Sequence, residues 1–235
     1  MKYEAILFDL DGTLMPMSNE TFLNLYIPEL GRKLKDYVAP ETLHEALWAS
    51  LGVMLQDVGD KTNEMVFFEN FRKRLGNDLV DELEPLFYEF YDREFEVLKQ
   101  GVGDNSVMVE AVSLLKEKGY RLVVATNPMF PENAVLKRLE FSGLDPKDFE
   151  FISNYTLHTR CKPNPDYYQE VLDHTGLKVE HCLMVGNDAY EDAVVRDMGM
   201  HAWLLTDYLI EGKYENHVEW KGSRLEFLDK VKKVL

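Results

Sequence analysis

The sequence predicts an α/β protein in which a doubly wound, mostly parallel sheet carries an inserted all-α unit. Three observations lead there. After Gly101 and Gly103, short apolar runs alternate with helical patterns. Those runs are almost continuously apolar, as strands covered on both faces are. Between about residue 16 and residue 100, by contrast, the apolar residues keep a helical period and no strand pattern occurs. The first apolar run belongs with the later sheet, so the expected division is a core of 1–15 plus 101–235, with 16–100 inserted after the first strand.

Tyr3-Glu4-Ala5-Ile6-Leu7-Phe8 is long enough for one buried strand and too short for a helix. Asp9-Leu10-Asp11-Gly12-Thr13 ends it with turn chemistry. Phe22, Leu25, Tyr26, Leu30 and Leu34 follow at helical spacing, with Pro28 and Gly31 predicting a bend or a split. Leu43, Leu47, Leu51 and Leu55 mark a helix that Pro40-Glu41 can start. Helices are expected over Asn63 to Leu75, ended by Gly76, and over Asp78 to Gln100. The aromatics Phe67, Phe68, Phe71, Phe87, Phe90 and Tyr91 recur at helical spacing and read as core of this unit. Trp48, or residues of the Gly52–Lys61 loop, are the candidates in this unit for facing a substrate.

In the second part, helices are expected over Asp104 to Lys118, Pro131 to Phe141, Pro163 to His174, Asp188 to Met198 and Arg224 to Val234. Strands are expected at Tyr120 to Ala125, Phe149 to Ile152, His181 to Val185 and His201 to Leu205. No internal repeat or low-complexity segment interrupts this order.

Composition narrows the function classes. The chain has 235 residues, with 42 Asp and Glu against 26 Lys and Arg, for a formal charge of −16. Such an acidic chain is ill suited to nucleic acid or to an anionic membrane surface. No apolar run approaches the ~18–20 residues of a membrane span. Glu4 and Asp9 interrupt any signal-peptide pattern, and Cys161 and Cys182 form neither a disulfide framework nor a Cys-x-x-Cys pair. A cytoplasmic protein is expected. No pattern bears on oligomeric state. There is no phosphate-binding Gly-x-x-x-x-Gly-Lys loop, Gly101-Val102-Gly103 lacks the rest of a dinucleotide fingerprint, and the six His residues lack zinc-site spacing. Cys161 beside Lys162 could be a thiol of lowered pKa or an incidental neighbour.

In an open α/β sheet, ligands bind beyond the carboxyl ends of the strands. Four polar clusters fall at such ends: Asp9 with Asp11, Thr126 with Asn127, Lys162, and Asp188 with Asp192. If the strands lie side by side, four acids, a hydroxyl and an ammonium share one cleft. Carboxylates that close oppose one another's ionisation unless a counter-charge is present. At ~4 Å and an effective dielectric of ~20, one pair repels by roughly 4 kcal/mol. Oxygen ligands suit Mg²⁺, which is held by one or two carboxylates plus water and phosphate oxygens. Lys162 and Thr126 offer donors for a phosphoryl group.

These residues resemble the motifs of haloacid dehalogenase-like (HAD) hydrolases. Asp9-Leu10-Asp11-Gly12-Thr13-Leu14 resembles the first motif, Thr126-Asn127 the second, Lys162-Pro163-Asn164-Pro165-Asp166 the third, and Gly186-Asn187-Asp188 with Asp192 the fourth. All four stand in the family's order, so the resemblance covers the whole core. It implies a HAD-like Rossmannoid core, with the insertion as an α-helical C1 cap. It also implies phosphoryl transfer through an aspartyl-phosphate. Asp9 would be the nucleophile and a Mg²⁺ ligand. Asp11 would protonate the leaving alcohol and then deprotonate the attacking water, its backbone carbonyl ligating the metal. Thr126, the Asn127 N–H and Lys162 would hold the phosphoryl oxygens, and Asp188 would bind Mg²⁺. Asp192 would act through water or by orienting Lys162, unless it is an ordinary first-turn acid favoured by the helix dipole.

Asp11 argues against dehalogenation, which needs no leaving-group acid, and Thr13 is the residue usual in the family's phosphatases. The expected function is Mg²⁺-dependent hydrolysis of a small phosphorylated metabolite. A sugar phosphomutase of the β-phosphoglucomutase type, or a non-catalytic binding protein of the same fold, are the alternatives.

Overall fold

The computed structural model describes residues 3–56 and 59–235. In chain order it has strand β1 (Ala5–Phe8), helices α1 (Asn19–Leu34), α2 (Pro40–Gln56), α3 (Asn63–Leu75) and α4 (Asn77–Asp92), and a 3-10 helix Glu94–Gly101. Then come α5 (Ser106–Glu117), β2 (Arg121–Val124), α6 (Glu132–Phe141), β3 (Phe151–Ile152), α7 (Pro165–Thr175) and β4 (Cys182–Gly186). A 3-10 helix (Ala193–Met198), β5 (His201–Leu205), β6 (Trp220–Gly222) and α8 (Arg224–Lys233) complete the chain.

The sheet order is β3-β2-β1-β4-β5-β6, and every pairing is parallel. Alternate residues serve opposite faces, as strand geometry requires. Ile6, Phe8, Leu122, Val124, Leu183 and Val185 pack on one side, while Ala5, Leu7, Val123 and Met184 pack on the other with Tyr167 and Val195. The chain winds outward from β1 through β2 to β3, then returns to β4 on the other side of β1. That reversal opens a crevice at the carboxyl ends of β1 and β4, the place where such sheets take ligands. Phe8 pairs with both Val124 and Val185, so the three central strands end level and deliver their following loops to one spot.

The helices between β1 and α5 continue the larger core cluster. Phe22, Tyr26, Phe90 and Phe95 join Leu10 and Leu14 in it without a gap. Phe130, after β2, meets this aromatic group edge-on, with its ring 5.7 Å from Phe22, 5.8 Å from Tyr26 and 6.2 Å from Tyr91. Such geometry suits the ring quadrupoles.

Several boundaries differ from expectation. Helix α1 is not split: it runs unbroken through Pro28 and Gly31, held by the buried stripe of Phe22, Tyr26, Leu30 and Leu34. The helix expected over Asp78 to Gln100 divides at Arg93, whose φ of −121° and ψ of −74° leave helical space. Gly52 to Gln56 belongs to α2, while Asp57 and Val58 lie outside the described residues. Phe149 and Glu150 precede β3 rather than join it. The helix expected from Asp188 is a capped turn followed by a 3-10 helix, with the Asp192 side chain drawn back onto the Asn187 and Asp188 N–H groups and onto Lys162. Strand β6 was not expected: Trp220-Lys221-Gly222 has no apolar run to mark it. Among the described residues, no helix is long and apolar enough to cross a membrane.

Candidate active site

Asp9 leaves the sheet at the end of β1, its N–H donating to Val185 O across the crevice at 3.0 Å. The chain then folds back tightly. Met15 N–H donates to Leu10 O at 2.7 Å and Gly12 N–H to Met15 O at 2.8 Å, with Gly12 at a φ of +79°. Glycine is needed there twice over, because a Cβ would also stand 2.5 Å from Asn187 Nδ2. Thr13 Oγ1 donates to Asn187 Oδ1 at 3.0 Å, so the loops after β1 and β4 are bolted together beneath the site.

Lys162, almost wholly buried, is the hub. Its Nζ donates to Asp9 Oδ1 at 2.8 Å and to Asp192 Oδ1 at 2.6 Å. The other oxygen of Asp192 accepts from the backbone N–H groups of Asn187 and Asp188 at 3.0 and 2.9 Å. Asp192 therefore orients Lys162 and shapes the loop that carries Asp188. Asp188 Oδ1 in turn accepts from the N–H groups of Tyr190 and Glu191 at 2.7 and 2.8 Å. Asn127 Oδ1 accepts from Lys162 N–H at 3.3 Å, and Thr126, beside it, gives its carbonyl to Tyr167 Oη at 2.7 Å.

Electrically the cluster is short of positive charge. Burial pushes the Asp9 carboxyl well above the carboxylate range; Lys162 opposes that rise, while Asp192 and Asp11 add to it. Burial also raises Asp188. Lys162 moves the other way: burial would discharge it, but the Asp192 and Asp9 carboxylates outweigh burial and keep it firmly protonated. Cys161 is no reactive thiol. Burial pushes it up to about 12, and its Sγ faces the Asn63 amide at 3.3 Å.

Asp11 stands apart from this hub. Its Oδ2 takes a bond of 2.5 Å from Nη1 of Arg138, a buried residue of α6, while its Oδ1 is buried with no partner among the described residues. The Arg138 guanidinium lies over the Phe130 ring at 4.6 Å and the Phe22 ring at 5.8 Å. Sequence reasoning missed Arg138. The signal was present: Ala134, Val135 and Leu139 mark the buried stripe of α6, and position 138 falls on it. Glu191 was missed as well. It accepts from Asn127 Nδ2 at 3.1 Å, and burial pushes its carboxyl up to about 7.

The donor set fits Mg²⁺. Asp9 and Asp188 each commit only one carboxylate oxygen to described hydrogen bonds. Among the described residues no three His, Cys, Asp or Glu side chains form a closed metal cage. Two carboxylates, the Asp11 carbonyl and otherwise water and phosphate oxygens would match the way this small cation is usually held. Beside Asp11, Asn127 and Glu191 opens a cavity of about 320 Å³ that reaches up among α1, α2, α3 and α4.

The chain is similar to known proteins in sequence and in fold. A family model described as haloacid dehalogenase-like hydrolase matches residues 3–194. The pyrophosphatase PpaX of Bacillus cereus (strain AH820) is 27% identical over 192 residues, covering 81% of this chain and 77% of that protein. A HAD phosphatase from Thermococcus onnurineus superposes with a TM-score of 0.59 at 21% identity, over 98% of this chain and 97% of that one. The HAD-hydrolase YfnB from Bacillus subtilis, solved bound to magnesium, superposes with a TM-score of 0.59 at 20% identity over the whole of both chains. At those identities the two solved structures establish the fold.

Proposed function

The chain belongs to the haloacid dehalogenase-like hydrolase family, and on that premise we propose that it is a Mg²⁺-dependent phosphatase. Its substrate is a small phosphomonoester, hydrolysed in the cytoplasm through an aspartyl-phosphate. The observation that carries this reading is the Asp9–Lys162–Asp192 chain at the sheet's switch point. It presents one carboxylate beside a buried ammonium at 2.8 Å. Asp9 attacks phosphorus, the bond to the leaving oxygen breaks, and Asp11 gives that oxygen a proton. Asp11 then takes a proton from the water that opens the acyl phosphate, returning Asp9 and releasing inorganic phosphate. Lys162, Thr126 and the Asn127 N–H hold the phosphoryl oxygens throughout. Asp9, Asp188 and the Asp11 carbonyl would hold Mg²⁺, which would supply positive charge to the phosphoryl group. Catalysis of this kind is mostly positioning and electrostatic stabilisation.

Residues 16–100 act as a cap that closes over the bound ester, turning about Leu14–Ser18 and Lys99–Asp104, where the chain passes between the two units. Closure excludes water that would compete with the leaving group's proton transfer. The test is phosphate release from p-nitrophenyl phosphate with Mg²⁺ by the native chain and by Asp9→Asn. The variant is expected to fold, by circular dichroism, and to lose turnover by at least about 10³-fold. A folded Asp9→Asn protein with native turnover would overturn the scheme.

A further inference from the structure

We propose that the alcohol released at this site is an uncharged apolar one, carrying an aromatic ring or a comparable hydrocarbon body. This rests on the phosphatase reading above and goes further, to the class of substrate. The cavity next to Asp11 is walled by Phe67, Phe68, Phe87, Phe130, Leu47 and Leu51, and no Lys, Arg or His lines it among the described residues.

Most polar atoms on the wall are already satisfied by the protein. Tyr26 Oη and Tyr91 Oη bond each other at 3.0 Å, and Tyr155 Oη bonds Tyr88 Oη at 3.0 Å. Trp48 Nε1 donates to His44 Nε2 at 2.6 Å. Both ends of the Asn127 amide are committed, to Lys162 N–H and to Glu191. Arg138 is not on the cavity wall: it lies behind it, buried, stacked on Phe130 and Phe22, with Nη1 paired to Asp11.

A leaving group bearing a carboxylate or a second phosphate would meet the carboxyl groups of Asp11 and Glu191 with no facing cation. A sugar would bring hydroxyls against hydrocarbon and lose their hydrogen bonds to water. An apolar body meets neither obstacle. At about 320 Å³ the cavity is roughly twice the ~150 Å³ that accepts benzene, room for two rings or a ring with a short chain. Leu23, Trp48 and Leu55 line the same cavity while partly exposed, giving an apolar rim.

The experiment compares alkyl monoesters, so that intrinsic reactivity is similar: 2-phenylethyl phosphate, phosphoglycolate and glucose 6-phosphate, with Mg²⁺ present. The expected kcat/KM for 2-phenylethyl phosphate exceeds the other two by at least about tenfold, the worth of burying one ring. Trp48→Ala is expected to cut that preference severalfold. Leu23→Arg, which places a cation at the rim, is expected to shift it towards phosphoglycolate. A preference of tenfold or more for phosphoglycolate or glucose 6-phosphate would overturn this inference and leave the phosphatase reading intact. If none of the three is hydrolysed, the p-nitrophenyl phosphate assay decides the phosphatase reading, and calorimetric titration with 2-phenylethanol decides the pocket by itself. Saturable binding that Trp48→Ala weakens would sustain an apolar site, and none up to the solubility limit would end it.

Discussion

Replacing Arg138 with Met tests whether the buried guanidinium positions Asp11 for proton transfer. Met keeps the length of the stem and removes the charge. The native side chain is 1% exposed and its Asp11 partner 24% exposed, so the carboxylate can recover some hydration while the arginine site cannot. Losing a hydrogen bond to a charged group costs about 1.5–3 kcal/mol. Losing the contacts to the Phe130 and Phe22 rings adds roughly 0.5–2 kcal/mol. Relief of the buried charge offsets part of both, since an apolar replacement removes the cost of keeping a guanidinium out of water. The net expectation is a loss of about 1–3 kcal/mol, read as a fall in Tm of roughly 2–4 °C for each kcal/mol in a chain this long.

The kinetic consequence separates positioning from mere support. A general acid contributes about 10²–10⁴-fold, but only where the leaving oxygen needs a proton. With Asp11 loosened, kcat for an alkyl phosphate is expected to fall about 10–100-fold, while kcat for p-nitrophenyl phosphate, whose leaving group departs as an anion, falls less than about threefold. Arg138→Lys keeps the charge but not the planar fork, and its activity should lie between the two. Steady-state kinetics on both substrates, with thermal unfolding on the same samples, make the measurement. An equal fall on both substrates, or a variant as stable as the native chain, would refute the reasoning.

A Cβ at position 186 would overlap the Asp192 carboxylate, so Gly186→Ala should expel it from the Asn187 and Asp188 N–H groups and from Lys162. Urea unfolding should register about 1–3 kcal/mol of lost stability, accompanied by a loss of activity, and native behaviour in both assays would contradict this. Removing the metal bears on the net charge: EDTA should weaken calorimetric binding of inorganic phosphate by at least about tenfold, and an unchanged affinity would count against a Mg²⁺ site. Acid should destabilise the fold through His158 and Glu170, which meet at 2.9 Å. Burial lowers the His158 pKa despite Glu170, so the unfolded chain binds a proton near pH 6.5 that the folded one refuses. Burial would raise Glu170, but hydrogen bonds from His158 and Thr159 outweigh it and hold it low, so its contribution is lost as the pH falls below about 4.5. Stability should therefore decline from pH 7 to 5 in urea titrations, with a shallower slope in His158→Gln; equal slopes would exclude this pair as a cause.

The parallel strands were legible because a strand buried on both faces has little choice of residue. Ala5 to Phe8 and Cys182 to Val185 are apolar throughout, and their carboxyl ends announce the polar loops that follow. Asp9, Asp188 and Asp192 could be read for the same reason, since they follow β1 and β4 closely, whereas Lys162, in a loop well past β3, stood out only through the resemblance that groups it with them. What escaped was decided across the fold. Arg138 stands on the buried stripe of α6, but what makes a charge tolerable there, the Phe22 ring and the Asp11 carboxylate, comes from more than a hundred residues earlier. The turn at Asp188 carries a helix's composition, yet Asp192 folds back onto the Asn187 and Asp188 N–H groups and onto Lys162, a long-range partner that local sequence does not show. The acidic excess belongs to this second kind. Residues 16–100 hold 17 acids against 9 bases, but the cavity they help to form is apolar, so most of that charge serves the solvated surface. The charge that matters is a handful of carboxyl groups around one ammonium, two of them, Asp9 and Asp188, driven by burial towards neutrality. That state follows from burial, which composition cannot report.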